Sequence, residues 1–140
     1  MSNQPDSDKK TIVVVEDDRS IAEVFEVVIS SETPYQAFLV EDDIEAQQRI
    51  EEIKAVKPVL FILDYQLSTM AAPDLYDYFQ KFAELDHTPA LILTAYSPHL
   101  IEDELARRGL FLLPKPFEVE TLINTIEQII LSTPSPELSA

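Results

Sequence analysis

The chain of 140 residues contains no cysteine, no tryptophan and a single glycine, Gly109. Without cysteine it can form no disulfide framework and no thiolate zinc site. No apolar run approaches the length of about 20 residues that a membrane-spanning helix requires. The polar first ten residues also lack the apolar core of a signal peptide. We therefore expect a soluble protein that works in the cytoplasm.

Basic residues are scarce, because 10 Lys and Arg stand against 26 Asp and Glu, for a formal net charge of −16. A surface this acidic repels phosphate backbones and anionic lipids, which argues against direct contact with nucleic acid or with a membrane. Such a charge would attract basic protein partners, although solubility alone explains it equally well. The length suits one domain with a proper core.

Apolar runs alternate with amphipathic stretches along the chain. Buried-type strands are predicted at residues 11–15, 35–40, 59–64, 90–93 and 110–113. The first helix shows one apolar stripe, made of Ile21, Val24, Phe25, Val28 and Ile29. Residues 44–56 predict a second helix, and further helices start near Pro73, near Ser97-Pro98 and after Lys115. Gly109 is expected to end the fourth helix as a C-terminal cap.

Five strand–helix repeats indicate an α/β fold in which a five-stranded parallel sheet is covered by helices on both faces. We expect one folded domain over residues 10–131. A flexible polar arm of residues 1–9 would precede it, and a disordered tail of residues 132–140 would follow it.

Several strands end in polar residues, and ligands bind at the carboxyl edge of open parallel sheets. Asp17 and Asp18 follow the first strand closely, and Asp64 closes the third. Three converging carboxylates repel one another unless a cation offsets their charge, and oxygen ligands of this kind suit Mg²⁺. Alone, each has an ordinary explanation, since Asp17 and Asp18 could cap a helix and Asp64 could belong to a turn.

The fourth and fifth strands complete the predicted site. Thr94 offers a hydroxyl, the small Ala95 leaves room beside it, and Lys115 supplies a fixed positive charge. A metal, a cation and a hydroxyl around one position suit phosphoryl transfer. The isolated carboxylate of Asp64 is then the expected acceptor, as in other aspartyl phosphates.

Four motifs in this order resemble the receiver domain of two-component response regulators, in particular the stand-alone, chemotaxis-regulator-like kind. They are Val15-Glu16-Asp17-Asp18, Leu63-Asp64, Leu93-Thr94-Ala95 and Pro114-Lys115-Pro116-Phe117. The resemblance covers nearly the whole chain. It implies a flavodoxin-like, doubly wound (βα)5 fold with strand order 2-1-3-4-5.

The resemblance also implies a role for each site residue. Asp64 would accept a phosphoryl group from a histidine kinase or a phosphotransfer protein. Magnesium would be held by Asp17, by Asp18 as the closer ligand, by Asp64 and by the backbone carbonyl of Gln66. Lys115 would pair with the phosphoryl group. Thr94 would move toward that group and so transmit the conformational switch between the two states. The peptide bond before Pro116 would be cis.

Departures from the family pattern concern the switch. Leu112 stands where an aromatic residue is usual, the adjacent Phe111 points to the other face, and Tyr96 is a candidate substitute. Gln66 and Tyr96 fall where the family tunes the lifetime of the phosphoryl group. The loop after Asp64 lacks the usual proline and glycine. Output is expected through the surface of the predicted fourth helix, fifth strand and fifth helix, toward a protein target or a second copy of the chain.

The function expected is that of a phosphoacceptor in two-component signalling or a phosphorelay, which is not itself an enzyme. The tail is too short for a DNA-binding module, and a fragment of a larger regulator remains an alternative. A magnesium-dependent phosphatase with an aspartate nucleophile is a second alternative, although Gln66 stands where its acid/base carboxylate would be needed. A receiver-like binding module that is never phosphorylated is the third.

Overall fold

A computed structural model of the chain describes residues 9–95 and 98–132. Its five strands are β1 (Thr11–Val15), β2 (Gln36–Val40), β3 (Leu60–Asp64), β4 (Ala90–Thr94) and β5 (Phe111–Pro114). All neighbouring strands pair in parallel, in the order β2-β1-β3-β4-β5. The predicted α/β fold and its strand order are confirmed. The predicted arm and tail lie almost entirely outside the described residues.

Within the described residues six helices cover the sheet, one more than the sequence predicted. They are α1 (Arg19–Glu32), α2 (Asp43–Gln48), α3 (Ile50–Val56), α4 (Ala72–Gln80), α5 (Pro98–Arg107) and α6 (Val119–Ser132). None of these described helices is long and apolar enough to cross a membrane.

The extra helix arises at Arg49, where the predicted second helix is interrupted. The backbone of Arg49 leaves the helical region, with φ −105° and ψ 23°. Its guanidinium donates to the carbonyl of Leu39 at 3.3 Å and lies 4.4 Å from the centre of the Phe38 ring. Arg49 also pairs with Glu52 at 2.9 Å. These contacts fix the break against the edge strand β2.

Side chains of each strand alternate between two apolar clusters, one on each face of the sheet. On one face Val13, Val15, Phe61 and Leu63 pack beneath α2 to α5, and the rings of Phe61 and Phe79 stack at 4.3 Å. On the other face Ile12, Val14, Leu60 and Ile62 pack beneath α1 and α6.

The predicted stripe of α1 is wrong at one position. Phe25, Val28 and Ile29 are buried, but Val24 is 53% exposed. Ala22 takes the place of Val24 on the buried face. The buried face is thus rotated toward Ala22, whose small side chain contributes little to an apolar pattern.

Strand register brings the polar strand ends to one edge. Val15 lies beside Leu63, Asp64 beside Leu93, and Thr94 beside Pro114. At the far end of α5, Gly109 adopts φ 70°, and the amide of Leu110 donates to the carbonyl of Leu105 at 2.9 Å. This left-handed cap, which glycine adopts without a Cβ penalty, directs the chain into β5.

Candidate functional site

Asp64 ends β3 at the carboxyl edge of the sheet, between β1 and β4. Its side chain is 16% exposed, so part of the carboxylate is open to a small ligand. The ammonium of Lys115 donates to Oδ1 of Asp64 at 3.1 Å. The strand that delivers Asp64 is otherwise apolar and fully buried, so the carboxylate is held on a rigid element.

Lys115 reaches the site from the chain just after β5. Its amide donates to the carbonyl of Thr94 at 2.7 Å, and the following peptide bond to Pro116 is cis. The ammonium also donates to Oε1 of Glu16 at 3.3 Å. Burial alone would lower the pKa of Lys115, but the hydrogen bond and charge of Asp64, joined by Glu16, raise it. Lys115 is therefore a firmly charged centre between two carboxylates.

Glu16 is the site residue that the sequence analysis missed. Its amide donates to the carbonyl of Val40 at 3.0 Å, so the extended backbone of β1 continues through it. Its side chain is only 1% exposed, and burial together with the charge of Asp64 raises its pKa. A carboxylate directly after an apolar strand, before the predicted aspartates, was the signal available in the sequence.

Three carboxylates converge beside Lys115. Ligand oxygens of Glu16, Asp17 and Asp64 lie within 4.8 Å of one another among the described residues. Asp18, predicted as the closer metal ligand, is not in this group. Its Oδ1 accepts the amide of Ile21 at 3.2 Å, which makes Asp18 the N-cap of α1. The structure therefore brings Glu16 to the site where the sequence analysis expected Asp18.

The remaining predicted residues belong to β4, to β5 and to the chain directly after β4. Thr94 is 1% exposed at the end of β4, and Ala95 beside it is exposed. Leu112 is half-buried and packs against the cluster beneath α5, whereas Phe111 is 40% exposed. Tyr96, the candidate substitute for the switch aromatic, lies outside the described residues.

Backbone hydrogen bonds join the two sides of the loop after Asp64, which contains no glycine. A β-bridge joins Gln66 to Ala71, and the amide of Leu67 donates to the carbonyl of Met70 at 3.1 Å. Among the described residues a positive φ occurs only at Lys57 and Gly109, so this loop contains none. The exposed Gln66 lies at the base of the loop, two residues after Asp64.

Comparison with known proteins agrees with this geometry. Residues 12–127 match the model of the response regulator receiver domain family. A signal receiver domain from Vibrio parahaemolyticus is 28% identical, with a TM-score of 0.76 over 89% of this chain and 92% of that one. No curated protein sequence matches the chain.

Two more distant structures share the fold. The chemotaxis response regulator CheY4 of Vibrio cholerae is 23% identical, with a TM-score of 0.76 over 86% of this chain and 98% of that one. The phosphorylated cyanobacterial phytochrome response regulator RcpA is 19% identical, with a TM-score of 0.73 over 91% and 97%. Because the family match spans most of the chain, the protein belongs to the response regulator receiver domain family of two-component signalling.

Proposed function

We propose that this protein accepts a phosphoryl group on Asp64 from a histidine kinase or a phosphotransfer protein, and passes the signal on by protein contact. One observation carries the proposal. The ammonium of Lys115 lies 3.1 Å from Asp64 and 3.3 Å from Glu16, at the edge where Asp17 also converges. A fixed cation that donates to a partly exposed carboxylate is the arrangement that supports transfer to that carboxylate.

In the proposed reaction an oxygen of Asp64 attacks the phosphorus of a phosphohistidine. The new P–O bond forms as the P–N bond breaks, and the electron pair of that bond returns to the imidazole. Lys115 already donates to Asp64, so it is placed to donate to an oxygen of the incoming phosphoryl group. Thr94, buried at the end of β4, is the proposed hydroxyl donor on the strand next to β3. The protein acts as the phosphoacceptor rather than as an enzyme with a separate substrate.

The donor set fits magnesium. Three carboxylates, those of Glu16, Asp17 and Asp64, face the one ammonium of Lys115, so negative charge is in excess. Carboxylate and carbonyl oxygens are the ligands that Mg²⁺ prefers. We assign the ion to these carboxylates and to the carbonyl of Gln66, because the carboxylate of Asp18 already caps α1. When bound, the ion would neutralise the charge that gathers as the phosphoryl group arrives.

The proposed output surface is formed by α5, β5 and α6. Phe111 is 40% exposed on this surface, and Val119 at the start of α6 is 45% exposed. Leu112, on the other face of β5, packs against the cluster that contains Ile101 and Leu105 of α5. A movement of α5 would therefore change the packing around Leu112. Apolar side chains here favour a hydrophobic contact with a target protein or a second copy of the chain.

Intact mass after incubation with acetyl phosphate and magnesium tests the proposal. We expect a gain of one phosphoryl group in the wild type, no gain in Asp64→Asn, and an unchanged gain in Asp103→Asn. Asp103 is the matched control, since it is an exposed aspartate of α5 away from the site. An unmodified wild type would support a binding module that is never phosphorylated. Continuous phosphate release from varied esters would support a phosphatase instead.

A further inference from the structure

The loop of residues 65–71 is attached at its tip to the start of α2. The hydroxyl of Ser68 donates to Oδ2 of Asp42 at 2.8 Å. The amide of Thr69 donates to Oδ1 of Asp43 at 3.1 Å, and the hydroxyl of Thr69 donates to the other oxygen of Asp43. Two adjacent aspartates thus bind two adjacent loop residues, 26 positions further along the chain.

Asp43 is the stronger of the two anchors because it is fully buried. Its relative exposure is 0%, although it is a charged residue at the first position of α2. A buried carboxylate is tolerated only when hydrogen bonds replace its water, and Thr69 supplies two of them. Asp42 is only half-buried and already caps α2 by accepting the amide of Glu45 at 2.8 Å. The pair therefore holds one rigid helix start against the loop.

The anchored loop is the one that carries Gln66. The bridge between Gln66 and Ala71 and the bond from the amide of Ala72 to the carbonyl of Tyr65 at 2.8 Å fix its base. Asp43 fixes its tip through Thr69, three residues beyond Gln66. With no glycine or proline between Tyr65 and Ala72, side-chain anchors take over the task of fixing the backbone.

We propose that Asp43, assisted by Asp42, is a positioning residue that holds the carbonyl of Gln66 in place for magnesium. The proposal deepens the function proposed above and rests on it for the identity of the ion. Asp43 acts through Thr69 and the loop backbone, without touching the ion itself. Groups that orient metal ligands in this way typically change metal affinity by 10–100-fold when they are removed.

Magnesium titration of the full chain, followed by calorimetry, tests the proposal. In Asp43→Asn the side chain keeps its size but loses one of its two acceptor oxygens, and we expect the magnesium Kd to rise about tenfold. Thr69→Val removes the hydroxyl and keeps the amide, so a smaller rise is expected. Thr69→Ser retains the hydroxyl and should restore the wild-type Kd. If Asp43→Asn does not fold, the magnesium Kd of Thr69→Val still tests the proposal.

Two further measurements separate positioning from general destabilisation. Ile126→Val is the matched control, because Ile126 is fully buried in α6, in the cluster on the opposite face of the sheet from the one that the loop residues Leu67 and Met70 join. It should lower stability and leave the magnesium Kd unchanged. Hydrogen exchange should quicken at the amide of Leu67, which bonds within the loop, in Asp43→Asn but not in Ile126→Val.

The outcomes of the Asp43 test can be told apart from those of the phosphorylation test. If Asp43→Asn loses stability while its magnesium Kd and the exchange of Leu67 match the wild type, Asp43 is only structural and the proposal is overturned. A wild type that binds no magnesium overturns it as well. If the wild type binds magnesium but Asp64 gains no phosphoryl group, the proposed function fails. The magnesium titration then still decides whether Asp43 positions the loop.

Discussion

Replacing Lys115 by methionine removes the one positive charge that the structure places between two site carboxylates. At an effective dielectric constant of about 20, each of the contacts at 3.1 Å and 3.3 Å corresponds to roughly 5 kcal/mol of gross Coulomb attraction. Most of that attraction offsets the cost of burying the charges. Because Lys115 is 22% exposed, water replaces part of the lost interaction.

We therefore expect Lys115→Met to lower the free energy of unfolding by about 2–4 kcal/mol, mainly because the buried carboxylate of Glu16 keeps the hydrogen bond from the amide of Asp18 but loses its counter-charge. Urea unfolding followed by circular dichroism at neutral pH measures the change, and the slope with urea should stay constant. The double variant Glu16→Gln/Lys115→Met should be less destabilised than the two single changes added together.

Magnesium provides the sharper part of this test. Without Lys115 the carboxylates bind a divalent cation more tightly, so magnesium should stabilise Lys115→Met more than it stabilises the wild type. A tenfold tighter Kd would reduce the destabilisation by about 1.4 kcal/mol at saturating magnesium. A loss of less than 0.5 kcal/mol, or one that magnesium leaves unchanged, would refute this account of the site.

Three further changes test the core, the end of α5 and the loop anchor. Phe79→Ala removes a fully buried ring that stacks on Phe61, and urea unfolding should show a loss of about 3–5 kcal/mol. Gly109→Ala places a Cβ at φ 70° in open space, so thermal unfolding should show a loss of only about 1–2 kcal/mol, from backbone strain alone. Burial alone would raise the pKa of Asp43, but the hydrogen bonds of Thr69 lower it below 3.8, so its contribution to stability is present above that value and disappears as pH falls below it. The free energy of unfolding, measured as the pH is lowered, should fall less steeply in Asp43→Asn than in the wild type.

The strands followed from the sequence because both faces of the sheet are buried, whereas their order followed from the resemblance to receiver domains. Runs such as Ile12 to Val15 are apolar at every position, a pattern that parallel sheets produce. The break at Arg49 did not follow, since it depends on contacts with Leu39 and Phe38 that only the folded edge strand provides. Local propensity favoured one continuous helix, and tertiary contacts ended it.

The meeting of carboxylates with Lys115 at one edge of the sheet was predicted, but the acidic pair found there lies one residue earlier in the chain. Asp64 and Lys115 meet as expected, whereas the acidic pair at the end of β1 is Glu16 and Asp17 rather than Asp17 and Asp18. Which carboxylates converge with Asp64 depends on where the extended backbone of β1 ends. Since Glu16 still donates to β2, its side chain falls on the buried edge and Asp18 is left to cap α1.

The anchor at Asp43 lay beyond sequence reasoning for a different reason. Aspartate at a helix start is ordinary, and nothing in its neighbours indicates that Thr69 lies beside it. The contact spans 26 positions and exists only because α2 and the loop after β3 meet at the same edge of the sheet. Pairings of this kind follow from topology, which local patterns do not encode.

The central claim is that Asp64 is the phosphoacceptor, and chemical trapping tests it most directly. The protein is incubated with acetyl phosphate and magnesium, treated with borohydride, digested, and sequenced by mass spectrometry. Borohydride reduces an acyl phosphate, so the account predicts homoserine at position 64, dependent on phosphodonor and absent when magnesium is chelated. Homoserine at another aspartate, or an unchanged Asp64 in protein that has gained a phosphoryl group, would contradict it.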